Sequence, residues 1–286
     1  YWCQDENATK LKDGEVEASV EAEALGCSRF TNGSLPSAKY DIENEYLENP
    51  AQFKFSEEAP LGSRYEGQWK GESWHGSGVL TKPDGSRFEG VFVNGYAEGH
   101  GSFTTSDSSY EGQWLRDLAH GHGKYVKKDG SMYEGQWLHD RKSGYGVESW
   151  ADGSRYEGRF FAGMKHGAGS YINASGEKIY DGEFRRDMMD GEGTYRFSDG
   201  RIFVGQWRGG QMNGEGTMDW PDESNYKGSY KNNVRHGVGT FRWSDGKLYR
   251  GQWRDGSQDG DGVLIDVNGM SYEGKWRSGN CENFSI

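Results

Sequence analysis

Four histidines share one recurring context: His75, His120, His166 and His236 each stand immediately before a glycine that opens a Gly-x-Gly pair. Imidazoles could share a zinc ion only if they converged on it at about 2.0 Å per bond. His120-x-His122 offers two ligands locally, but no cysteine lies near it in the sequence. A second series, Glu66, Glu89, Glu111, Glu134 and Glu157, could supply carboxylates for acid–base work. That chemistry needs a pair held in unlike environments within one pocket, whereas these recur at equal intervals and read as a solvated ladder. Gly121-His122-Gly123 has the glycines of a phosphate loop without the Lys-Ser/Thr that would follow. No Gly-x-Ser-x-Gly elbow occurs, and Cys281 lacks a histidine in a plausible partner position.

What positions these residues is a repeat. The pattern aromatic-x-Gly-x-aromatic begins at Tyr65, Phe88, Tyr110, Tyr133, Tyr156, Tyr180, Phe203, Tyr226, Tyr249 and Tyr272, at intervals of 22 to 24 residues. Its glycines and second aromatics include Gly67 and Trp69, Gly112 and Trp114, Gly135 and Trp137, Gly205 and Trp207, Gly251 and Trp253, and Gly274 and Trp276. A Gly-x-Gly pair follows in nine units, from Gly76-x-Gly78 to Gly260-x-Gly262. Many units close with Asp-Gly, as at Asp84-Gly85, Asp129-Gly130 and Asp245-Gly246.

Positions one, three and five of a strand share a face, so the two aromatics flank a glycine on one side of a sheet. Without a Cβ, that glycine lets a ring lie flat against the backbone. Asp-Gly supplies the positive φ of a tight hairpin turn, and the variable stretch after position five, such as Lys70-Gly71-Glu72-Ser73-Trp74-His75, reads as the longer loop. Two strands per unit follow. At about 4.8 Å per strand each unit advances the sheet by roughly 9–10 Å, and ten units make a ribbon on the order of 90 Å long. Histidines two units apart then lie roughly 19 Å apart, too far to share an ion.

The unit resembles the MORN (membrane occupation and recognition nexus) repeat, which reads Tyr-Glu-Gly-x-Trp-x-x-Gly-x-x-x-Gly-x-Gly and implies a β-hairpin. Tyr65-Glu66-Gly67-Gln68-Trp69 and Tyr133-Glu134-Gly135-Gln136-Trp137 match its opening without departure. Departures are local: Val204, Lys227 and Arg250 replace the acid, Pro221-Asp222-Glu223 replaces an Asp-Gly, and Glu148 occupies an otherwise apolar site. The expected fold is all-β: one elongated array of stacked antiparallel hairpins over residues 63–279, about nine and a half units. An acidic, mostly irregular and partly helical extension precedes it over 1–62, and a tail follows over 280–286.

Composition agrees with a thin fold. Leu, Ile, Val and Phe number only 42 of 286 residues, while glycine reaches 46 and aromatics 41, too little aliphatic volume for a thick core and too many rings for disorder. No apolar run approaches the roughly 20 residues of a membrane-spanning helix. The net charge is −12, and residues 1–60 carry 13 acidic against 5 basic side chains, which opposes nucleic acid as a partner. Within the extension, Glu15–Leu25 reads as a short helix or a solvated tail, Asp41–Leu47 as a short helix, and Phe53-Lys54-Phe55 as a strand capping the first hairpin. Cys3 and Cys27 allow a disulfide without requiring one. The first residue is Tyr1, so a removed targeting segment stays open.

From these features we expect no catalytic residues, no metal and no cofactor. The resemblance implies a protein–protein scaffold or structural subunit of a cytoskeletal, ciliary or other organellar assembly, with other proteins as partners and self-association possible. Attachment to a membrane surface is the weaker alternative, because basic groups such as Lys124, Lys127 and Lys128 are small and the array is slightly acidic.

Overall fold

A computed structural model describes residues 52–59 and 62–285. The expected helices at Glu15–Leu25 and Asp41–Leu47, and the Cys3–Cys27 pairing, lie outside the described residues. Every regular element that spans more than one residue is a β-strand. The described chain falls into two compact units divided between Gly163 and Met164.

The first unit holds ten strands, from β1 (Gln52–Ala59), β2 (Ser63–Lys70), β3 (Ser73–Thr81) and β4 (Arg87–Val93) to β10 (Arg155–Phe161). Each pairs antiparallel with the next along the chain. The second unit holds eleven strands, from β11 (Met164–Ile172) to β20 (Ser271–Arg277) and β21 (Asn280–Ser285), joined in the same meander. The strand at Phe53 pairs with β2, as a cap should. Asn280–Ser285, read from sequence as a tail, forms β21 against β20, so the tenth unit has both its strands.

The register sets glycine beside glycine across every strand of each unit except the terminal β1 and β21, where Lys54 and Phe284 stand opposite the glycine. In the first unit the file runs Gly67, Gly78, Gly90, Gly101, Gly112, Gly123, Gly135, Gly146, Gly158, each paired with the next. In the second it runs from Gly169 through Gly182 and Gly193 to Gly262 and Gly274. A Cβ on Gly135 would stand 2.5 Å from Cα of Gly146, so the file admits no side chain.

The two connections are the reverse of the sequence expectation. The tight turn follows position six: two residues join Val93 to Tyr96, Leu115 to Leu118 and Leu138 to Arg141. Both residues have positive φ at Asn94-Gly95, Arg116-Asp117, His139-Asp140 and Asn232-Asn233, the twist-matched type I′ geometry. Ser73, Trp74 and His75, expected in a loop, lie in β3. Asp-Gly instead closes a five-residue connection, Lys82 to Ser86, in which the Gly85 N–H donates to the Lys82 carbonyl and only Gly85 has positive φ. The first glycine of each Gly-x-Gly pair is also in a strand. Gly76 (φ 77°) and Gly121 (φ 64°) form β-bulges, and the register shifts beside them.

Two outcomes follow for stability. Glu223 occupies the glycine place of one Asp-Gly connection at φ 70°. We expect Glu223→Gly to stabilise the second unit by about 1 kcal/mol in urea unfolding. Gly123→Ala would put a Cβ 2.5 Å from Cζ of Tyr110. It should cost about 3 kcal/mol, against about 1 kcal/mol for Gly130→Ala, where φ is 88° but nothing lies within 4 Å.

Candidate functional site

The two faces of each sheet have different duties. Odd positions of the first strand build a core. The rings of Tyr65, Tyr110, Tyr133, Tyr156, Phe203, Tyr226 and Tyr249 are fully buried or nearly so, and Trp114, Trp137, Trp207, Trp253 and Trp276 lie buried beside them. Trp69 is half-buried. The rings of Tyr65, Phe88, Tyr110, Tyr133, Tyr180, Phe203, Tyr226 and Tyr249 cover the glycine of their own strand and the glycine paired with it: a Cβ at Gly112 or at Gly123 would run into the ring of Tyr110. Tyr110 meets Trp114 edge to face at 5.0 Å and Trp137 of the next repeat at 5.3 Å, so each ring bridges two units. Gly205, Gly251 and Gly274 stand at the same level of the second unit.

Polar ends of these rings close the backbone. The Tyr110 hydroxyl donates to the Gln113 carbonyl at 2.9 Å, and the same bond recurs at Tyr65, Tyr133, Tyr156, Tyr180, Tyr226 and Tyr249. Trp Nε1 donates to a carbonyl of the glycine file, Trp114 to Gly101 at 3.0 Å and Trp137 to Gly123 at 3.1 Å. Gln113 Oε1 accepts the His122 N–H at 2.7 Å, filling the gap the Gly121 bulge leaves in the ladder. Gln68, Gln136, Gln206 and Gln252 do likewise. The preference for Tyr over Phe and the recurring Gln were visible in the sequence. Their partners were not, because the bulge was not recognised.

Adjacent hairpins are tied at the tight turns. Asp117 N–H donates to the Ala97 carbonyl at 3.1 Å while its Oδ1 accepts the Ala97 N–H at 2.7 Å, twenty residues away. Asp140 on Ala119, Asp187 on Lys165 and Asn233 on Met212 repeat the clamp. Burial pushes the Asp117 carboxyl up to about 7, opposed by the Ala97 hydrogen bond and reinforced by the charge of Glu98. Burial raises Asp140 as well. A recess of about 10 Å³ between Ala97, Asp117 and the rings of Phe88, Phe92, Phe103 and Trp114 has room for one water molecule.

Residues singled out for chemistry do not converge. Among the described residues no group of three or more His, Cys, Asp or Glu could hold a metal ion. His75 Nδ1 accepts the Asn94 N–H at 3.5 Å, and His236 Nδ1 lies 3.7 Å from Asp255. His120 stands 5.3 Å from His139, a neighbour that the repeat phase alone had not revealed. His122 is exposed. Cys281 is a free thiol that donates to the Asn283 carbonyl at 3.3 Å. Four of the repeated glutamates make surface ion pairs, Glu66 with Arg64, Glu89 with Arg87, Glu134 with Lys124 and Glu157 with Arg155. Such pairs contribute about 0–1 kcal/mol each.

One departure from the repeat is a built ion pair. Glu148 stands where other units carry Leu80, Phe103 or Tyr125, and it is buried against the half-buried Lys142, which occupies the place of Ala97 and Ala119. The Lys142 ammonium lies 5.1 Å over Tyr133 and 5.8 Å over Phe160. At the same position of a later repeat, Arg235 stacks 4.6 Å over Trp253.

Positions two and six carry no such duties, and their chemistry changes from repeat to repeat. Position six is Val93, Leu115, Leu138 and Phe161 in four consecutive repeats of the first unit. In the second it is Arg185, Arg208, Lys231, Arg254 and Arg277.

A stack of two-stranded hairpins, each leaning on the next through one aromatic row, defines a tandem-repeat protein of the β-hairpin class. A model of the MORN repeat matches nine consecutive stretches: residues 65–87, 88–109, 110–132, 133–155, 156–178, 180–200, 203–224, 226–247 and 249–271. The chain therefore belongs to the MORN repeat family. Solved structures with some likeness include the TCP10 domain of Danio rerio CPAP in complex with a peptide of Danio rerio STIL. It is 12% identical, the match covers 78% of this chain and 98% of that chain, and the TM-score is 0.30. The SAS-4 (dCPAP) TCP domain of Drosophila melanogaster, in complex with a proline-rich motif of Ana2, is 12% identical over 79% of this chain and 97% of that chain, at a TM-score of 0.22. Scores this low carry no argument about function.

Two tests address the core. The folded state keeps the Asp117 proton up to about pH 7, whereas the unfolded chain releases it near 4. Native stability therefore falls as pH rises between those values. Asp117→Asn, which places at this turn the amide that Asn233 supplies at another, should melt higher than wild type at pH 8 and gain nothing at pH 4. Lys142→Met should cost about 3 kcal/mol in urea unfolding by taking the ammonium away from a buried carboxylate. The double change Lys142→Ala with Glu148→Tyr, which copies Ala119 and Tyr125, should recover most of that loss.

Proposed function

We propose that this MORN-repeat chain is a non-catalytic protein–protein interaction scaffold, or a structural subunit of a larger assembly. The observation that carries the reading is the division of labour between the faces. One face spends its side chains on the fold, and the other presents positions two and six, whose identity the fold leaves free. A regular frame that holds variable side chains at fixed intervals is how repeat proteins form extended binding surfaces. The lack of a convergent polar pocket among the described residues fits the same reading, which assigns the chain no turnover and no cofactor.

A peripheral membrane role has one observation in its favour, the basic row at position six of the second unit. Three of its members already face carboxylates, Arg185 with Asp190, Arg254 with Asp259 and Arg277 with Glu282. Residues 164–286 carry 16 basic and 18 acidic side chains, a net of −2. At about 1 kcal/mol per free basic group, Arg208 and Lys231 give a weak hold on anionic lipid. Sedimentation with phosphoinositide vesicles at moderate salt separates the two readings.

The scaffold reading is tested by affinity capture of the tagged chain followed by mass spectrometry. Capture is compared with Glu111→Arg/Glu134→Arg and with Arg208→Glu/Lys231→Glu. We expect specific proteins on the wild type and a tenfold or greater loss on at least one variant whose melting temperature is unchanged. A wild-type chain that retains nothing above a mock capture overturns it.

A further inference from the structure

One stretch of the outer face in the second unit reverses the charge of its neighbours. Position two is Asp181 near the start of the unit and Glu273 near its end, but it is Lys227 on β16 (Asn225–Lys231) and Arg250 on β18 (Leu248–Arg254). The middle residue of the Gly-x-Gly pair is Glu215 in the repeat before and Asp261 in the repeat after. Between them, on β17 (Val234–Arg242), it is Val238, 63% exposed. Lys227 and Arg250 stand on either side of Thr240, and Val238 stands beside Gln252. Four residues along the same strands, on the same face, come Lys231 and Arg254. All four cations are exposed. Arg254 reaches Asp259 at 3.2 Å, whereas Lys227, Lys231 and Arg250 have no ion pair among the described residues.

The four charges form a frame around Val238, about 14 Å along the strands and about 10 Å across them. The hairpin does not require it, because acids fill the same places in other repeats.

We infer that this frame binds an acidic segment of a partner protein, laid in extended form along β17. In an extended chain residues i, i+2 and i+4 point to one side, and i and i+4 are about 14 Å apart. A carboxylate at i then sits between Lys227 and Arg250, and one at i+4 between Lys231 and Arg254. An apolar side chain at i+2 covers Val238. The recognised pattern is acid-x-apolar-x-acid. This deepens the scaffold reading, on which it rests, by naming the chemistry of one partner.

A flat anionic membrane fits the frame less well. Glu215, which accepts from the Ser229 hydroxyl, and Asp261, which stands beside Lys275, flank it on β15 (Gln211–Asp219) and β19 (Ser257–Ile265). They lie on the same face about 19 Å apart, so a surface wide enough to cover the frame meets both carboxylates, while a single extended chain passes between them.

Fluorescence anisotropy of a dye-labelled Ser-Glu-Thr-Leu-Thr-Glu-Ser peptide, titrated with the full chain at 50 mM salt, tests the inference. Half-saturation is expected at tens to hundreds of micromolar, since exposed charge pairs each add little and are screened by salt. An isomer with its acids three apart, Ser-Glu-Thr-Leu-Glu-Thr-Ser, should bind at least fivefold more weakly. Lys227→Glu/Arg250→Glu installs the residue of other repeats and should keep the melting temperature while weakening binding at least tenfold. Val238→Glu should weaken it at least threefold, and Arg185→Glu, outside the frame, serves as a control that leaves it unchanged. No binding at 500 µM chain, equal binding of the two isomers, or binding that survives Lys227→Glu/Arg250→Glu overturns the inference. Vesicles of phosphatidylcholine with phosphatidylserine form a second arm. Sedimentation with them that is lost in Lys227→Glu/Arg250→Glu, without peptide binding, assigns the frame to lipid and also overturns it. If affinity capture still retains proteins when the peptide fails, the scaffold reading stands, which separates the two failures.

Discussion

The fold depends on an aromatic ring lying flat on two adjacent glycines. A side chain on either glycine would take the space of the ring, as the 2.5 Å approach of a Gly123 Cβ to Tyr110 shows. The ring in turn is the apolar mass of its repeat, because so little aliphatic volume is available. The constraint propagates. One glycine pair fixes the register of two strands, and each glycine is also paired with the next hairpin, so the register of every later strand in the unit is set by the one before. The file of glycines is the line along which each sheet is kept in phase.

Once the rings are on the glycines, the remaining polar groups have little freedom. The Tyr110 hydroxyl donates to the position-four carbonyl of its own strand, and Trp114 Nε1 to a carbonyl of the glycine file in the preceding repeat. The bulge opposite position four is bridged where that residue is Gln. The tight turns add side-chain clamps where Asp or Asn holds their second place. These ties all consume residues at odd positions, at turns and at position four. Positions two and six remain, and there the residue types change from repeat to repeat. Variation that the fold does not demand is what supports a recognition role.

Much of this was legible in the sequence. The period, the shared face of Tyr110, Gly112 and Trp114, and the close ring–glycine approach all follow from spacing and from the alternation of a strand. The connections were misread for a physical reason. Four of the ten two-residue turns between described strands are built without glycine, as in Arg116-Asp117 and His139-Asp140, so the usual signal of positive φ is missing there. Meanwhile Asp-Gly, the strongest turn signal in the chain, supplies one positive φ to a longer connection. The bulge glycine of each Gly-x-Gly pair was hidden for the same reason, since a glycine in a strand and one in a loop look alike. The clamp of Asp117 on Ala97 could not be foreseen, because it joins residues in different repeats at the end where the turn had been misplaced. The residue types of the position-six row can be read from the sequence, but their exposure and their common edge needed the structure.

The most direct test of the ring-on-glycine account is the Hα chemical shifts of the glycines in a glycine-labelled sample. A proton beneath the face of an aromatic ring is shifted upfield. The account predicts strong upfield shifts at Gly112, Gly123, Gly135 and Gly146, ordinary shifts at Gly130 and Gly153 in the Asp-Gly connections, and loss of the Gly112 and Gly123 shifts in Tyr110→Leu. Ordinary shifts along the glycine file, or shifts indifferent to Tyr110→Leu, would contradict it.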